Sequence, residues 1–300
     1  MASIITITLN PAIDKSTSIE ALLPEKKLRC SPPVFEPGGG GINVARAIHK
    51  LGGKASPIYL AGGYTGKFFK QLLEEEGIES IIIEISKHTR ENLIVLDRSA
   101  NQQYRFGMPG PSIRESEWRE LLTVLENQNA DFIVASGSVP EGVTPDIFAR
   151  IAMIARNKNS KFIVDTSGEP LKQALSKGVY LLKPNLGELA SLSGRDHINE
   201  NEAAELAKEI INKGQCEIIV VSMGPSGALL VTPDTVEKVR SPPVEKKSTV
   251  GAGDSMVAGI VWSLAKKKSL LESVQYGVAS GTAATLNPGS ELCRLEDVEK

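Results

Sequence analysis

The chain has 300 residues, a length that suits one large α/β domain. Lys and Arg total 34 against 36 Asp and Glu, and the resulting net charge of -2 argues against a nucleic-acid-binding or polybasic membrane-binding protein. Cys30, Cys216 and Cys293 are far apart and form no C-x-x-C pair, which is typical of a reduced, cytoplasmic protein. The first residues lack the basic and apolar regions of a signal peptide, and no run reaches the roughly 18 apolar residues that span a bilayer.

Short apolar runs rich in β-branched residues alternate along the chain with segments of helical period. The predicted strands are Ile4–Leu9, Ile58–Ala61, Ile81–Ile85, Phe132–Ala135, Phe162–Val164, Tyr180–Leu182 and Ile218–Val221. The predicted helices lie near 42–51, 66–76, 115–126, 144–157 and 200–213. Because the strands do not alternate with polar residues, we expect burial on both faces, in a mostly parallel sheet between two layers of helices. Ligands of such sheets bind at the carboxyl ends of the strands.

Two segments interrupt this alternation with extended pieces that have no helix between them. One is Lys27–Phe35, and the other is Glu91–Phe106, which consists of two runs around a turn at Arg98–Asn101. They are either two long surface hairpins or a small β-sheet that forms a lid over the site, with lid segments at about 14–36 and 90–107. Exposed strand edges need covering, and pairing of two subunits through the lid would cover them.

The most informative segment is Ser248–Asp254, with the sequence STVGAGD, followed by apolar residues at helical spacing. Gly251 and Gly253 allow a tight turn and a close approach to a ligand. The amides of Gly251, Ala252 and Gly253 would then lie at a helix N-terminus, which binds anions such as a phosphoryl group in transfer. Asp254 beside them can accept the proton of an attacking hydroxyl. The simpler alternative is that Asp254 only caps the helix.

A second glycine segment, Pro37–Arg46, opens another predicted helix. Its consecutive glycines are Gly38, Gly39, Gly40 and Gly41. A structural turn needs only one or two glycines, and each further one is conformationally costly, so the run indicates close approach of a ligand to bare backbone. A flexible connector is the alternative. Asn43, in the first turn, can donate to a sugar hydroxyl or to a phosphate.

Two common nucleotide signatures do not occur in the sequence. Gly62–Phe68 superficially resembles a P-loop, but its glycine spacing is one residue short and Phe68 stands where Ser or Thr is required. Gly38–Gly41 lacks the G-x-G-x-x-G spacing of a dinucleotide site. A Walker-type NTPase and a Rossmann dehydrogenase are therefore unsupported.

Together the two glycine segments resemble the PfkB, or ribokinase-like, family of carbohydrate kinases. The resemblance runs along essentially the whole chain and includes Thr8–Asp14, Lys183–Asn185 followed by Glu188, and Ser222–Gly227. It implies one kinase domain over residues 1–300, folded as a three-layer α/β/α ribokinase-like sandwich with a small β-sheet lid. Within the family the chain is similar to members that use ATP and Mg²⁺ to phosphorylate fructose 6-phosphate at its C1 hydroxyl. The resemblance also implies a homodimer formed through the lid.

The resemblance implies roles for individual residues. Asp254 would be the base, with the Gly251, Ala252 and Gly253 amides holding the transferred charge. Residues expected to bind the sugar phosphate are Asp14, Lys27, Gly38, Gly39, Gly40, Gly41, Asn43, Arg90 and Ser138. Residues expected to contact ATP are Lys183, Asn185, Ser222, Gly224, Pro225, Ser226, Gly227 and Ser248. Glu188 would reach Mg²⁺ through water, although its N-x-x-E spacing from Asn185 is also typical of a surface turn. The residues expected to form a K⁺ loop are Ser248, Val250, Ala284, Asn287 and Gly289.

Two residues depart from the patterns of the wider family. Ser248 stands where an acid is usual, which bears on the cation loop and not on Asp254. Gly40 stands where relatives acting on fructose 1-phosphate or tagatose 6-phosphate tend to have lysine, which favours fructose 6-phosphate. The same reaction on those two sugars, a non-catalytic sugar-phosphate-binding regulator and a dehydrogenase remain as alternatives.

Overall fold

A computed structural model describes residues 2–287, 289 and 291–300, which form two β-sheets and the helices around them. The strands are β1 Ile4–Thr8, β2 Ala12–Ile19, β3 Val34–Gly38, β4 Ser56–Ala61, β5 Ile81–Glu84, β6 Arg90–Asp97, β7 Gln102–Phe106, β8 Phe132–Ser136, β9 Lys161–Asp165, β10 Val179–Leu182, β11 Cys216–Ser222, β12 Ala228–Val231 and β13 Val236–Val239. The helices are α1 Gly40–Lys50, α2 Gly63–Glu75, α3 Glu115–Glu126, α4 Ile147–Asn157, α5 Gly168–Leu175, α6 Leu186–Leu192, α7 Glu200–Asn212, α8 Ala252–Ala265, α9 Leu270–Thr285 and α10 Leu295–Val298.

The main sheet has nine strands in the order β13-β12-β11-β10-β9-β8-β1-β4-β5. All pairs from β11 to β5 are parallel, as the non-alternating apolar runs predicted. The strands β12 and β13, which were not predicted, add an antiparallel hairpin to one edge. The predicted mostly parallel sheet is therefore confirmed.

The two faces of this sheet are covered by different helices. Ile5 and Ile7 of β1 pack in a core with side chains of α3, α4, α5, α6 and α7, whereas Ile4 packs in a core with α1, α8 and α9. Successive strand residues point to opposite faces, so one apolar strand serves both cores. The five predicted helices are present, while α5, α6 and α9 were not predicted. None of the described helices is long and apolar enough to cross a membrane.

The second sheet, called the lid sheet below, has four strands in the order β3-β2-β6-β7. Its two central strands, β2 and β6, are parallel, and both edge strands are antiparallel to their neighbours. The predicted extended segment Glu91–Phe106 and its turn are confirmed. The predicted extended segment Lys27–Phe35 is only partly confirmed, since residues 20–33 form no strand and β3 begins at Val34. The central strand Ala12–Ile19 was missed because its middle is polar.

The sheets meet where the carboxyl ends of the main strands emerge. Asn10 follows β1, Ser138 follows β8, Asp165 ends β9 and Lys183 follows β10. The N-termini of α1 and α8 lie at the same edge, as the hydrogen bond from Asn43 to Asp254 shows. The fold thus gathers polar side chains from distant parts of the chain at the edge where parallel sheets bind ligands.

Candidate active site

Asp254 lies in the first turn of α8 and is held from the first turn of α1. The N-cap of α8 is Gly251, in the left-handed region with φ 70°, so Asp254 is not the capping residue. Asn43 Nδ2 donates to Asp254 Oδ2 at 2.9 Å. Burial, reinforced by the negative charge of Asp165, raises the pKa of Asp254 to about 6. A carboxylate with this pKa is ionised at neutral pH and can still take up a proton readily.

A buried lysine lies beside the glycine turn that precedes Asp254. Lys183 is only 5% exposed, and its Nζ is 3.3 Å from Asp165 Oδ1. A Cβ placed on Gly253 would lie 3.6 Å from that Nζ, so the ammonium adjoins the backbone of the turn. Burial alone would lower the pKa of Lys183, but the carboxylates of Asp165, Glu188 and Asp254 outweigh it and raise the pKa. The site therefore contains a protonated amine next to helix N-terminal amides, an arrangement that suits phosphate oxygens.

The N-terminal glycine run bends sharply from the lid sheet into the main domain. Gly38 ends β3, Gly39 is the N-cap of α1 with φ 118°, and the next two glycines begin the helix. A Cβ on Gly38 would lie 2.2 Å from Asp14 Oδ2, and one on Gly40 would lie 2.2 Å from Ser136 Oγ. A Cβ on Gly41 would lie 2.4 Å from the Ile7 carbonyl. The glycines thus pack on the protein's own site residues, which argues against a flexible connector, and their contact with a ligand stays a prediction.

Asp14 and Arg90 lie close together where β2 and β6 begin. Asn92 Nδ2 donates to Asp14 Oδ1 at 2.8 Å, and burial is the main factor that raises the pKa of Asp14. Arg90 donates to the carbonyls of Asn10 at 3.0 Å and Met108 at 3.1 Å. Its Nε is buried and has no partner among the described residues. A buried guanidinium N–H without a partner is a donor that suits an incoming phosphate.

Asn10 connects Ser138 to this arginine. Asn10 Nδ2 donates to Ser138 Oγ at 3.0 Å, and Asn10 Oδ1 is buried without a partner among the described residues. That free acceptor suits a sugar hydroxyl. Lys27, by contrast, is exposed in the segment between β2 and β3, and no described contact brings it to Arg90.

Among the residues predicted to contact ATP and Mg²⁺, the Asn185-x-x-Glu188 pattern is a helix start and not a surface turn. Asn185 is the N-cap of α6, and the two residues form a capping box: Glu188 N donates to Asn185 Oδ1 at 2.8 Å and Asn185 N donates to Glu188 Oε2 at 2.9 Å. Asn185 also forms a parallel bridge with Ser222, whose amide donates to the Pro184 carbonyl at 2.8 Å. The predicted ATP contacts Lys183, Asn185 and Ser222 are therefore neighbours.

The predicted nucleotide loop after β11 is an exposed turn. Gly224, Pro225 and Ser226 form one turn of 3₁₀ helix on the surface. Gly227 closes the turn with φ 91°, and a Cβ there would lie 2.0 Å from the Val239 carbonyl. The turn thus requires glycine for its own packing, and its contact with ATP stays a prediction.

The predicted cation loop brings two segments together through Ser248. Ser248 Oγ donates to the Gly289 carbonyl at 2.7 Å and accepts from Val250 N at 3.2 Å. Asn287 Nδ2 donates to the Leu292 carbonyl at 3.0 Å, and Asn287 N donates to the Ala284 carbonyl at 3.3 Å. Among the described residues no group of three or more His, Cys, Asp and Glu side chains is arranged to hold a metal ion. Neutral oxygens of this kind suit a weakly held monovalent cation.

Four polar residues of the site carried no individual role in the sequence analysis. Asp165 pairs with Lys183, Ser136 lies beside Asp254 and opposes the rise in its pKa, Asn92 donates to Asp14, and Asn10 donates to Ser138. Ser136 and Asp165 each directly follow a predicted strand, and this position at the carboxyl end of the sheet could have identified them. Asn92 had no such signal, because its role depends on the register of β2 against β6.

Comparison with known proteins places this geometry in a family. The family model of the pfkB family carbohydrate kinases matches residues 2–297. The ATP-dependent 6-phosphofructokinase isozyme 2 of Escherichia coli (strain K12) is 45% identical over 302 residues, which cover 100% of this chain and 98% of the relative.

Solved structures of a similar enzyme agree with this result. Phosphofructokinase-2 from Escherichia coli in complex with potassium superposes with a TM-score of 0.96 at 44% identity, covering 100% of this chain and 97% of the other. The same enzyme in complex with fructose-6-phosphate superposes with a TM-score of 0.92 at 42% identity, with the same coverage. This chain belongs to the pfkB family of carbohydrate kinases.

Proposed function

We propose that this chain is an ATP-dependent kinase that phosphorylates fructose 6-phosphate at its C1 hydroxyl to give fructose 1,6-bisphosphate. The observation that carries the proposal is the buried carboxylate of Asp254, bonded to Asn43 and adjoining the Gly251–Gly253 turn and Lys183. The hydrogen bond from Asn43 to Asp254 connects the N-terminal glycine segment, which is expected to bind the sugar, to the C-terminal one, which is expected to bind the transferred phosphoryl group. The similarity to 6-phosphofructokinase isozyme 2 along the whole chain supports the choice of substrate.

The sugar phosphate would be bound where the lid sheet meets the main domain. The Nε–H of Arg90, which has no partner among the described residues, suits the phosphate that the sugar already carries, since guanidinium groups bind oxyanions with directed donors. Asp14 and Ser138 lie beside it and suit sugar hydroxyls. Closure of the lid sheet would exclude water, which otherwise competes for the phosphoryl group.

Asp254 takes the proton of the C1 hydroxyl as that oxygen attacks the terminal phosphate of ATP, and the bond from that phosphorus to the β-phosphate oxygen breaks to release ADP. The amides of Gly251, Ala252 and Gly253 and the ammonium of Lys183 stabilise the charge on the transferred group, because they are fixed before the reaction begins. Asn43 keeps the carboxylate of Asp254 turned toward the site throughout.

Two cations fit the residues present. Mg²⁺ keeps most of its water and needs only one or two carboxylates with the phosphates of ATP, so Glu188 at the start of α6 would contact it through water. When bound, Mg²⁺ neutralises phosphate charge. K⁺ would be held by oxygens of Ser248, Val250, Ala284, Asn287 and Gly289. The potassium complex of the similar Escherichia coli enzyme supports this second assignment.

We also propose that two subunits pair through the lid sheet. Exposed large apolar side chains concentrate on the lid sheet and its adjoining loops: Leu22, Leu23, Val34, Leu96, Phe106 and Met108. Both edge strands, β3 and β7, carry members of this set. Apolar surface beside open strand edges is typical of an interface.

A coupled assay of ADP release across fructose 6-phosphate, tagatose 6-phosphate and fructose 1-phosphate tests the function directly. We expect the highest kcat/KM with fructose 6-phosphate, because Gly40 stands where relatives acting on the other two sugars tend to have lysine. A side chain at position 40 would have to displace Ser136 in the present packing. A clear preference for either other sugar would reassign the substrate. Binding of fructose 6-phosphate without ADP release by folded protein would instead favour the regulator.

A further inference from the structure

Arg46, on α1, is a buried charge that the proposed chemistry does not use. The residue is 3% exposed. Its Nε lies 2.8 and 2.9 Å from the two carboxylate oxygens of Glu76, and its Nη2 lies 2.5 Å from one of them. The same guanidinium donates to the Pro37 carbonyl at 3.0 Å and to Glu36 Oε1 at 3.2 Å.

These partners come from two other elements. Glu76 is the C-cap of α2, whereas Glu36 and Pro37 belong to β3 at the edge of the lid sheet. A guanidinium presents its donors in a rigid planar fork, so one side chain fixes the three elements relative to one another. Removing one partner of such a buried ion pair leaves an uncompensated charge, which makes the cluster sensitive to change.

The cluster continues directly to the sugar side of the site. Across the lid sheet, Asp14 is paired in register with Glu36 on β3 and with Asn92 on β6. The residue after Pro37 is Gly38, whose missing Cβ would lie 2.2 Å from Asp14 Oδ2. A small displacement of residues 36–38 would therefore change how closely the backbone packs against the Asp14 carboxylate and would shift its position.

We propose that Arg46 is a positioning residue for the sugar phosphate: by tying β3 to α1 and α2, it fixes where Asp14 and Gly38 face the ligand. Arg46 itself does not touch the substrate. The inference deepens the proposed function and rests on it for the identity of the ligand. Groups that must hold a substrate within fractions of an ångström need such supporting contacts.

Steady-state kinetics of Arg46→Met and Arg46→Lys test the proposal. We expect Arg46→Met to raise KM for fructose 6-phosphate about tenfold while KM for ATP changes less than about twofold. The KM of Arg46→Lys for fructose 6-phosphate should lie between those of Arg46→Met and the wild type, because lysine keeps the charge and loses the planar set of guanidinium donors. The matched control is Lys70→Met, which removes an exposed ion pair with Glu74 on α2 and should leave both KM values unchanged.

A purely stabilising role would give a different result. Loss of folded enzyme lowers the apparent kcat, whereas KM does not depend on how much of the enzyme is active. An unchanged KM for the sugar phosphate in folded Arg46→Met would overturn the proposal.

If Arg46→Met does not fold, Glu36→Ala replaces it, since that variant keeps the Arg46–Glu76 pair and removes the ion pair between Arg46 and β3, which leaves the bond to the Pro37 carbonyl as the remaining tie. We expect its KM for the sugar phosphate to rise at least about threefold, and no change would equally overturn the proposal. Wild-type enzyme in the same assay separates this outcome from failure of the proposed function: if wild type turns over another phosphorylated ketohexose, the KM comparison is made with that sugar.

Discussion

Asp254 combines two properties that a general base needs, namely a fixed orientation and a raised proton affinity. The orientation comes from Asn43 on a different helix, and the raised pKa comes from burial together with the nearby charge of Asp165. Neither property is contained in the local sequence GAGD. They arise because α1 and α8 begin at the same edge of the main sheet, next to the carboxyl end of β9.

Replacing Asp254 by Asn should lower kcat by roughly 10²–10⁴-fold while sugar binding persists, since the amide keeps the shape and cannot take the proton. Turnover measured by ADP release and binding measured by calorimetry check the two parts. The control is Asp146→Asn, which alters an exposed ion pair with Arg150 on α4. Near-normal turnover in Asp254→Asn would remove Asp254 from the mechanism.

The same burial should destabilise the fold at neutral pH. Because the pKa of Asp254 is raised to about 6 in the folded protein, the stabilisation from its proton is fully present below the unfolded value of 3.8 and is lost as the pH rises through about 6. We therefore compare the free energy of unfolding of Asp254→Asn with that of wild type. The variant's value minus the wild-type value should be larger at pH 7.5 than at pH 4, by on the order of 2–3 kcal/mol. Urea unfolding of both proteins at the two pH values measures this. An equal difference at both pH values would contradict the raised pKa.

Arg90→Ala should raise KM for the phosphosugar about 10–100-fold, as expected for loss of a charge-assisted donor to phosphate. Its KM for ATP should change little, because ATP is expected over the C-terminal half of the chain. Arg98→Ala is the control. Arg98 lies in the turn between β6 and β7 and donates to Ser18 Oγ on β2. An unchanged KM for the sugar would place its phosphate elsewhere.

Among the structural elements, the lid sheet shows how strand register builds part of the site. Asn92, Asp14 and Glu36 are neighbours across β6, β2 and β3, so their side chains form one polar row. Gly38 closes this row, since only a residue without a side chain fits against Asp14. Small changes in this sheet should therefore affect binding of the sugar more than folding.

Gly38→Ala tests this packing. The added Cβ would lie 2.2 Å from Asp14 Oδ2 and must push the carboxylate aside, so we expect KM for the sugar phosphate to rise at least about fivefold. Gly107→Ala, just beyond β7, is a matched control because nothing lies within 4 Å of its Cβ position. Equal KM values for the two variants would show that Asp14 tolerates displacement.

The parallel strands of the main sheet were predictable from sequence, whereas its antiparallel hairpin β12–β13 was missed and the lid sheet was predicted only in part. Strands such as β1 are apolar along their whole length because both faces are buried, and that pattern is local. In β2 the middle residues are polar and half-buried, so Ala12–Ile19 gives no strand signal by itself. Its identity as a strand depends on β3 and β6, which are distant in the sequence. Likewise the glycine segments could be located from sequence, but the Arg46 cluster could not.

For the whole molecule, the exposed apolar side chains of the lid sheet predict its assembly. Val34→Lys should weaken the proposed homodimer, since Val34 is 59% exposed on an edge strand and a charge there would be buried in the proposed interface. Size-exclusion chromatography with light scattering over a range of concentrations measures the change. Met153→Lys is the control, because Met153 is comparably exposed, at 51%, on α4. If both variants keep the wild-type mass, the subunits pair through another surface.

The hydrogen bond between Asn43 and Asp254 spans 211 positions of sequence. A nascent chain emerging from the ribosome would thus present the glycines and asparagine of its first quarter long before the aspartate has been made. During that interval the chain lacks the proposed base, and Asn43 has no Asp254 to which it can donate. The proposed site is therefore completed only after α8 has been synthesised and has packed beside α1.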